Sequence, residues 1–198
     1  MQYQKEEVRK AILEAAVEEF GSAGYEKASM RTICRDAGVS VGNLYRYFPS
    51  REALFESIVG ELYRKTTQLI REQEYAGKEG YNLPEIASDV ASRLLFDYQT
   101  DVKKFVILFD KSKGSKFEGV KELFFTFIRE RLVAEVAGAG ADSRAKFLCG
   151  VIANGLLEGI YAIIRLGRSP DEAKALLERL LVFYFQDIRD RMFPAGAV

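Results

Sequence analysis

The sequence predicts an all-α fold, and three observations carry that prediction. Apolar residues recur at intervals of three and four along almost all of the 198 residues, which is the period of an amphipathic helix. Only four prolines are present, so few positions interrupt a helix. Capping residues precede most of the helical patterns and glycines follow them. We expect about nine helices.

The first three predicted helices form a small N-terminal unit. Ser29 and Ser40 are placed to cap the second and third helices. Gly38 lies between them, where a left-handed turn needs a residue without a Cβ. Pro49 prevents the third helix from continuing. The predicted ranges of the three helices are 8–20, 30–37 and 40–47.

The remaining helices form a larger body that starts with the fourth, so we divide the chain into residues 1–50 and 51–198. Ser50 and Asp142 are predicted caps, and the segments 82–85 and 169–172 resemble capping boxes with proline in the first turn. The predicted helices cover 51–74, 82–110 with a break near 100–101, 117–136, 142–166 and 170–192.

Composition excludes several classes of enzyme and site. The chain has no histidine, which removes Ser-His-Asp and Cys-His nucleophiles and any His-ligated metal. Cys34 and Cys149 are isolated, so neither a thiolate metal cage nor a disulfide framework is indicated. We therefore expect no metal, no cofactor and no catalytic residues. Lys+Arg and Asp+Glu both number 29, so any nucleic-acid surface must be local.

The sequence also predicts a cytoplasmic location. The charged segment 1–7 does not resemble a signal peptide. Apolar runs such as 180–185 are much shorter than the roughly 20 residues that span a membrane. We expect no membrane-spanning segment.

Residues 33–48, with the sequence ICRDAGVSVGNLYRYF, read as a helix-turn-helix. Ile33, Val39 and Leu44 are spaced to pack the two helices together, and Phe48 extends the same core. Cys34 is a small residue where the helices approach. A second helix in this arrangement can place its N-terminal residues on base edges in the major groove.

Charge supports DNA binding by this stretch. Between residues 27 and 51, one acid, Asp36, opposes five basic residues, a local charge of +4: Lys27, Arg31, Arg35, Arg46 and Arg51. Asn43, Tyr45 and Tyr47 add hydrogen-bond donors. Phosphate contacts would supply affinity, and the few groups that reach bases would supply specificity.

Residues 37–48, followed by SREAL at 50–54, resemble the signature of TetR-family transcriptional regulators. The resemblance covers about the first quarter of the chain. It implies a cytoplasmic homodimer that binds a palindromic DNA operator, usually as a repressor. It also implies a C-terminal body that holds a small-molecule effector and releases DNA when occupied.

The resemblance assigns roles by position. Residues in the positions of phosphate contacts are Ser29, Tyr45, Tyr47 and Arg51, and those facing the groove are Ser40, Val41, Gly42 and Asn43. To these we add Arg31 and Arg46 from the charge pattern. Many family members have a polar residue where this chain has Val41, which makes only apolar contacts, so fewer direct base hydrogen bonds are expected.

The last two long helices predict a dimer. Residues 146–165 and 176–188 are apolar on nearly every face, so each is buried either within one chain or by a second copy. A helix-turn-helix dimer must bridge half-sites about 34–36 Å apart, which favours the second copy. The predicted interface residues are Gly155, Gly159, Leu177, Leu181 and Tyr184.

Aromatic residues in the middle of the chain predict an effector site of largely apolar or aromatic character. Asn154 and Glu158 share one face of an apolar helix; they line this cavity, or form a satisfied buried pair, or meet across the dimer interface. The candidate effector residues are Phe96, Phe105, Phe109, Phe124, Asn154, Glu158 and Tyr161.

Two alternatives belong to other functional classes. A TetR-like adaptor would bind a protein and not an operator, which the apolar Val41 and the modest charge leave open. An all-α enzyme would need a carboxylate, lysine or tyrosine mechanism, for which Glu158 is the one suggestive acid and has no matched partner in the sequence. We therefore expect a non-enzymatic regulator.

Overall fold

The computed structural model describes residues 2–71, 92, 102–134, 142–166 and 169–192. Within these ranges the secondary structure is helical, with no strand, so the predicted fold class is correct. Nine helices lie in the described ranges: α1 (Gln2–Ala23), α2 (Met30–Asp36), α3 (Val41–Tyr47), α4 (Arg51–Arg71), α5 (Val102–Asp110), α6 (Val120–Leu132), α7 (Ser143–Arg165), α8 (Pro170–Phe185) and α9 (Ile188–Met192).

The predicted caps are confirmed where the structure describes them. The side-chain oxygens of Ser29, Ser40, Ser50 and Asp142 each accept a hydrogen bond from the backbone N–H three residues later, at 2.8–3.2 Å. Gly38 has φ +65°, the left-handed conformation that its position required. The predicted segments 72–74, 82–91, 93–101 and 135–136 lie outside the described residues.

Helix α1 extends beyond the predicted range 8–20 at both ends, and two later helix boundaries also differ from the prediction. Helix α6 begins at Val120, not at residue 117, because Glu118 N donates to Ser115 O in a turn and Gly119 has φ +89°. Helix α8 ends at Phe185, and Asp187 takes a left-handed φ of 52° before α9. Neither glycine nor proline marks that second break in the sequence.

The break after α8 is stabilised by a side chain from α9. Arg191 Nη2 donates to the carbonyls of Phe183 and Tyr184, at 2.8 and 3.2 Å. These carbonyls belong to the last turn of α8, which has no intrahelical partner for them. The arginine therefore closes the end of one helix from the start of the next.

The chain divides into two compact units. Unit 1 comprises residues 1–68 and 101–120, and unit 2 comprises residues 69–100 and 121–198. Helix α5 and the segment that follows it thus belong with α1–α4. The division at residue 50, between a DNA-binding part and a part for ligand binding and dimerisation, stays a prediction.

Unit 1 is packed around aromatic side chains from distant parts of the sequence. Phe20 and Tyr25 each contact Phe55 of α4, with ring centroids 4.9 Å apart in both pairs. Phe117 joins from beyond α5 and lies 6.0 Å from Phe55 and 5.1 Å from Tyr63. Both Phe20 and Phe55 are fully buried. These contacts attach the segment after α5 to α4.

Unit 2 contains a close pairing of α7 and α8 that depends on glycine. A Cβ at Gly155 would stand 2.7 Å from Tyr184 Oη, and one at Gly159 would stand 2.9 Å from Leu180 Cδ2. Real Cβ atoms do not approach other atoms so closely, so glycine permits this spacing. The two helices therefore pack through their small residues within one chain.

Helix α7 is long and apolar enough to cross a membrane by length and composition, a test that the core helix of a soluble protein also passes. The expectation from run lengths missed this helix, because Asn154 and Glu158 interrupt its apolar runs. Its buried residues follow a helical stripe, as in a core helix: Ala145, Cys149, Ala153, Leu156, Leu157, Ile160, Tyr161 and Ile164.

Candidate nucleic-acid interface

Helices α2 and α3 form the predicted helix-turn-helix. Ile33 and Leu44 are fully buried, and Cys34 and Phe48 are each 4% exposed. Val39, which was predicted in the same core, is half-buried. The Val39 N–H donates to Cys34 O at 2.9 Å, which closes the end of α2. These contacts fix the direction of α3 relative to α2.

The start of α3 is open to solvent. Ser40, Val41 and Gly42 are exposed, Val41 to 44%, and Asn43 is half-buried. A Cβ built at Gly42 meets nothing within 4 Å. Nothing described in the chain therefore obstructs the face that the sequence assigns to the major groove.

The other predicted contact residues on these helices are accessible to different degrees. Tyr45 is 43% exposed, Arg31 and Arg46 are exposed, and Tyr47 is half-buried. Tyrosine hydroxyls and guanidinium groups are the donors that phosphate oxygens accept from. Helices α2 and α3 thus carry several suitable donors that solvent reaches.

Ser29 is held in place by α1. Its backbone N–H donates to Glu19 Oε1 at 2.7 Å, while its Oγ accepts from Thr32 N. The hydroxyl proton of Ser29 remains free of both of these bonds, because the Oγ acts there as an acceptor. Glu19 is a positioning residue that the sequence did not reveal.

Arg51, which the family resemblance assigns to phosphate, is bonded within unit 1. Its Nη1 donates to the carbonyls of Tyr25 and Glu26, at 3.4 and 3.3 Å, and its Cζ lies 5.8 Å from the centroid of the Tyr25 ring. The guanidinium thus ties the start of α4 to the α1–α2 turn. A phosphate contact by its other N–H groups stays a prediction.

Glu52 connects three segments of unit 1. Its Oε2 accepts from Tyr25 Oη at 2.5 Å, and its Oε1 accepts from Lys116 N at 3.4 Å. Burial, and next the hydrogen bond to Glu52, raise the pKa of Tyr25 to about 12. Nothing in the sequence links Tyr25 to Glu52, 27 residues away.

The segment 111–116 contacts both the α1–α2 turn and α4. Tyr25 N donates to Lys111 O at 2.8 Å, Lys113 Nζ lies 3.9 Å from Glu26 Oε2, and Lys116 Nζ lies 2.7 Å from Glu56 Oε2. The hydrogen bond from Tyr25 to Lys111 joins residues 86 apart (111 − 25), so a distant segment helps to hold the turn.

The net local charge stays at +4, but fewer of its cations are unengaged than the sequence count suggests. Arg35 and Asp36 form an exposed ion pair at 2.8 Å, whose hydrogen bond lowers the pKa of Asp36, and Arg51 is engaged with backbone carbonyls. The exposed cations left from the sequence count are Lys27, Arg31 and Arg46.

Both thiols are buried, as expected for small core residues. Cys34 is 4% exposed in unit 1 and Cys149 is fully buried in unit 2. Burial raises the pKa of each thiol. Both are free cysteines.

The predicted effector residues are divided between the units. Phe105 and Phe109 are buried in unit 1 with ring centroids 4.4 Å apart, while Phe124 and Tyr161 are buried in unit 2. Phe96 lies outside the described residues.

Asn154 and Glu158 are exposed, so within this chain they do not form the buried pair that was one of the three alternatives. Glu158 Oε1 lies 2.9 Å from Lys121 Nζ, and this exposed ion pair satisfies the carboxylate. Among the described residues, no group of three or more Cys, Asp or Glu side chains is arranged to hold a metal.

The predicted dimer residues mostly pack inside unit 2. Leu177 is fully buried and Leu181 is 6% exposed, so neither is available to a second chain. Gly155 and Gly159 face Tyr184 and Leu180 of the same chain. Four large apolar residues of α7 and α8 are instead exposed: Phe147 at 74%, Leu148 at 40%, Val151 at 52% and Phe183 at 67%.

The N-terminal residues match known regulators. Residues 12–58 match the family model for bacterial regulatory proteins of the tetR family. The chain is 42% identical to the HTH-type transcriptional regulator UidR of Escherichia coli K12 over 59 residues. This aligned stretch covers 30% of this chain and 30% of UidR. The chain is also 42% identical over 59 residues to the HTH-type transcriptional repressor KstR of Mycolicibacterium smegmatis, covering 30% of this chain and 29% of that protein.

The fold of most of the chain matches solved structures. A TetR-family transcriptional regulator from Bordetella parapertussis aligns with 21% identity and a TM-score of 0.64, over 90% of this chain and 94% of that one. The fatty acid degradation regulator FadR from Bacillus halodurans aligns with 18% identity and a TM-score of 0.54, over 92% and 96%. At these low sequence identities, the likeness to the solved structures shows the fold alone.

Proposed function

Because the chain belongs to the TetR family through its N-terminal helices, we propose that it is a transcriptional regulator that binds a palindromic DNA operator as a homodimer, acting as a repressor. The sequence matches span about 30% of these relatives, so operator binding, dimerisation and effector release are all parts of the proposal.

The open start of α3 carries the proposal. Ser40, Val41 and Gly42 are exposed at the end of the helix that an HTH protein inserts into the major groove. Asn43 can read adenine through its amide, and Val41 can contact a thymine methyl. Tyr45 and Arg46 flank this face with phosphate donors.

The exposed apolar surface of α7 and α8 supports dimerisation. Phe147, Val151 and Phe183 are each more than half exposed, which is costly for a protein that stays monomeric in water. A second copy that covers them would form a four-helix bundle. We therefore place the interface on these exposed residues and not on Leu177 and Leu181.

An effector of largely apolar or aromatic character remains part of the proposal. The aromatic content of unit 2 supports it: Phe124 and Tyr161 are buried there, and the cations of Lys121 and Arg165 each lie 5.1 Å from the centroid of the Tyr161 ring. Effector binding would change the spacing of the two recognition helices, and only one spacing fits successive major grooves.

The family also sets the class and location that we propose. The relatives named above are transcriptional regulators and not enzymes, and TetR-family DNA-binding regulators are soluble cytoplasmic proteins. Glu158, the acid on which an enzyme mechanism would rest, is engaged by Lys121. We propose a cytoplasmic, non-enzymatic regulator.

Selection of duplexes from random-sequence DNA by the purified chain tests the proposal. We expect enrichment of an inverted repeat whose half-site centres lie about 34–36 Å apart, or a multiple of it, with an affinity that falls steeply as salt rises. Failure to enrich any duplex, or binding that ignores salt, would favour the protein-binding adaptor.

Two variants separate backbone contacts from base reading. Tyr45→Phe removes only a hydroxyl, and we expect roughly three- to tenfold weaker binding to selected and unrelated duplexes alike. Asn43→Ala should weaken the selected duplex by about 1–3 kcal/mol and unrelated DNA little. Equal effects of the two variants on both duplexes would contradict the assigned roles.

A further inference from the structure

Arg9 of α1 lies against the end of the recognition helix. Its Cζ is 5.4 Å from the centroid of the Phe48 ring, and Phe48 is the residue that ends α3. Arg9 is exposed, although the ring beneath it is buried. A guanidinium over an aromatic face is attracted by the ring and loses little freedom when it binds a phosphate.

The charge of Arg9 is available within the part of the chain that the structure describes. The ion pairs of α1 there join Lys10 to Glu14 and Glu18 to Lys103, and none of them involves Arg9. Arg35 and Arg51, by contrast, are already engaged with partners in unit 1. Arg9 is thus an additional cation near the recognition helix, outside the range 27–51 in which the basic residues were counted.

Helical spacing orders the charges on α1 by face. Lys5 and Arg9 fall on the same side of the helix as Ile12 and Ala16, which are fully buried against the rest of unit 1. The acidic residues Glu7, Glu14 and Glu18 share the opposite side. The side of α1 that faces the core therefore carries two basic residues, Lys5 and Arg9, before the first buried residue that the structure describes, Ile12.

This basic end of α1 adjoins residues that flank the groove. Phe48 directly follows Arg46 and Tyr47, which the proposed function places at the DNA backbone. When the start of a recognition helix contacts base edges, its other end passes the phosphates that line the groove.

We propose, resting on the proposed function, that Arg9 together with Lys5 forms a second backbone-contacting surface on α1, which extends the DNA interface beyond the end of α3. Its partner is the phosphate of duplex DNA, without base specificity. Arg9 contacts the phosphate while Phe48 orients it.

The test measures operator affinity against salt for Arg9→Ala, Arg9→Lys and Lys10→Ala, with the duplex that the wild-type chain selects. Each phosphate contact contributes about 0.9 to the slope of log affinity against log salt, so Arg9→Ala should lower the slope by about 1.8 per dimer. In Arg9→Ala the affinity should fall roughly three- to tenfold for each half-site, and by a similar factor for unrelated duplex DNA. Arg9→Lys should restore most of the slope.

Lys10 is the matched control because it carries the same charge on the adjacent residue and pairs with Glu14. Lys10→Ala should leave the slope close to that of the wild type. A purely structural loss at Arg9 would lower affinity or melting temperature without changing the slope. An unchanged slope in Arg9→Ala, or an equal change in Lys10→Ala, overturns this inference alone, whereas absence of wild-type binding overturns the proposed function and this inference with it.

Discussion

The two units of this chain differ in what they leave exposed. Among the described residues, two large apolar side chains are exposed in unit 1, Val41 and Tyr45, and both lie on the recognition helix. Unit 2 exposes six: Leu123, Phe147, Leu148, Val151, Leu166 and Phe183. Unit 1 therefore exposes little apolar surface outside its recognition helix, whereas unit 2 has more apolar surface that a partner would cover.

Two carboxylates show the same contrast. Glu158 of unit 2 lies in an apolar helix and attracts attention in the sequence, yet it is 53% exposed and pairs with Lys121. Glu52 of unit 1 lies in a charged helix, yet it is half-buried and accepts hydrogen bonds from Tyr25 and Lys116. An acid is important to structure through what surrounds it in space, which its sequence neighbours do not reveal.

The largest effect is expected from a charge on the exposed surface of unit 2. Phe147→Asp should convert a dimer to a monomer, with at least a hundredfold weaker association, because the interface would bury an unpaired carboxylate. Sedimentation velocity over a range of protein concentrations measures this. Operator affinity should fall with it, since one half-site binds weakly alone.

Leu123→Asp is the control for this change. Leu123 is also exposed, at 41%, but it lies on α6, outside the surface of α7 and α8. The control should remain dimeric. A wild-type chain that is monomeric at all concentrations, or equal dissociation in both variants, would contradict the assignment of the interface.

The next effect concerns the junction at Glu52. Glu52→Gln should lower the free energy of unfolding by about 1–2 kcal/mol, because two hydrogen bonds lose their charged acceptor. Glu56→Gln is the matched control, since Glu56 is 52% exposed and its ion pair is with the half-exposed side chain of Lys116; it should change stability by about 0.5 kcal/mol or less. Urea denaturation of both variants compares them.

The same substitution should change the titration of Tyr25. Its pKa of about 12 is above the ordinary value of 10, so its contribution to stability is complete below pH 10 and is lost as the pH rises through 12. In Glu52→Gln the pKa of Tyr25 should fall but stay above 10, because burial is the larger cause. Ultraviolet difference titration against Tyr25→Phe isolates this phenol; an unchanged pKa would contradict the role of Glu52.

The third prediction concerns alanine substitutions at two glycines, one in each unit, which should change the stability of the chain in opposite directions. Gly42→Ala should stabilise the chain by up to about 1 kcal/mol, because a Cβ there meets no atom within 4 Å and alanine favours the helix. It should also weaken operator binding roughly tenfold, since the new methyl projects where the bases would lie.

Gly155→Ala should instead destabilise the chain by about 1 kcal/mol, because its Cβ would stand 2.7 Å from Tyr184 Oη. Thermal unfolding and a binding titration give both quantities. Stronger operator binding by Gly42→Ala would argue against a groove-facing position.

Local signals in the sequence were sufficient for most of unit 1. Ser29, Ser40 and Gly38 act through hydrogen bonds and backbone conformations within three residues, so their roles follow from spacing. The same holds for the caps of α4 and α7. The break at Asp187 escaped prediction because it depends on Arg191 reaching back to α8, which no turn residue marks.

Non-local contacts explain the other differences. Arg51, whose role the family resemblance suggested, meets the carbonyl of Tyr25, 26 residues away, and Glu52 meets Lys116, 64 residues away. Apolar patterning of α7 and α8 predicted that each helix is buried on more than one side. It did not distinguish residues such as Leu177, which face the same chain, from Phe147, which is exposed.

The smallest effect is expected at Glu158, where it distinguishes a surface ion pair from the two interpretations that stay open, an effector contact and a contact across the dimer interface. If the Lys121 pair is its whole role, Glu158→Gln should change the free energy of unfolding by at most about 0.5 kcal/mol, because both side chains are more than a third exposed. Dimer dissociation should be unaffected as well. A carboxylate that crosses a dimer interface or meets an effector would behave differently: its loss would leave a partner group desolvated and change association or effector response several-fold. Denaturation at two protein concentrations separates these outcomes, because only an interfacial role makes the cost of the substitution depend on concentration.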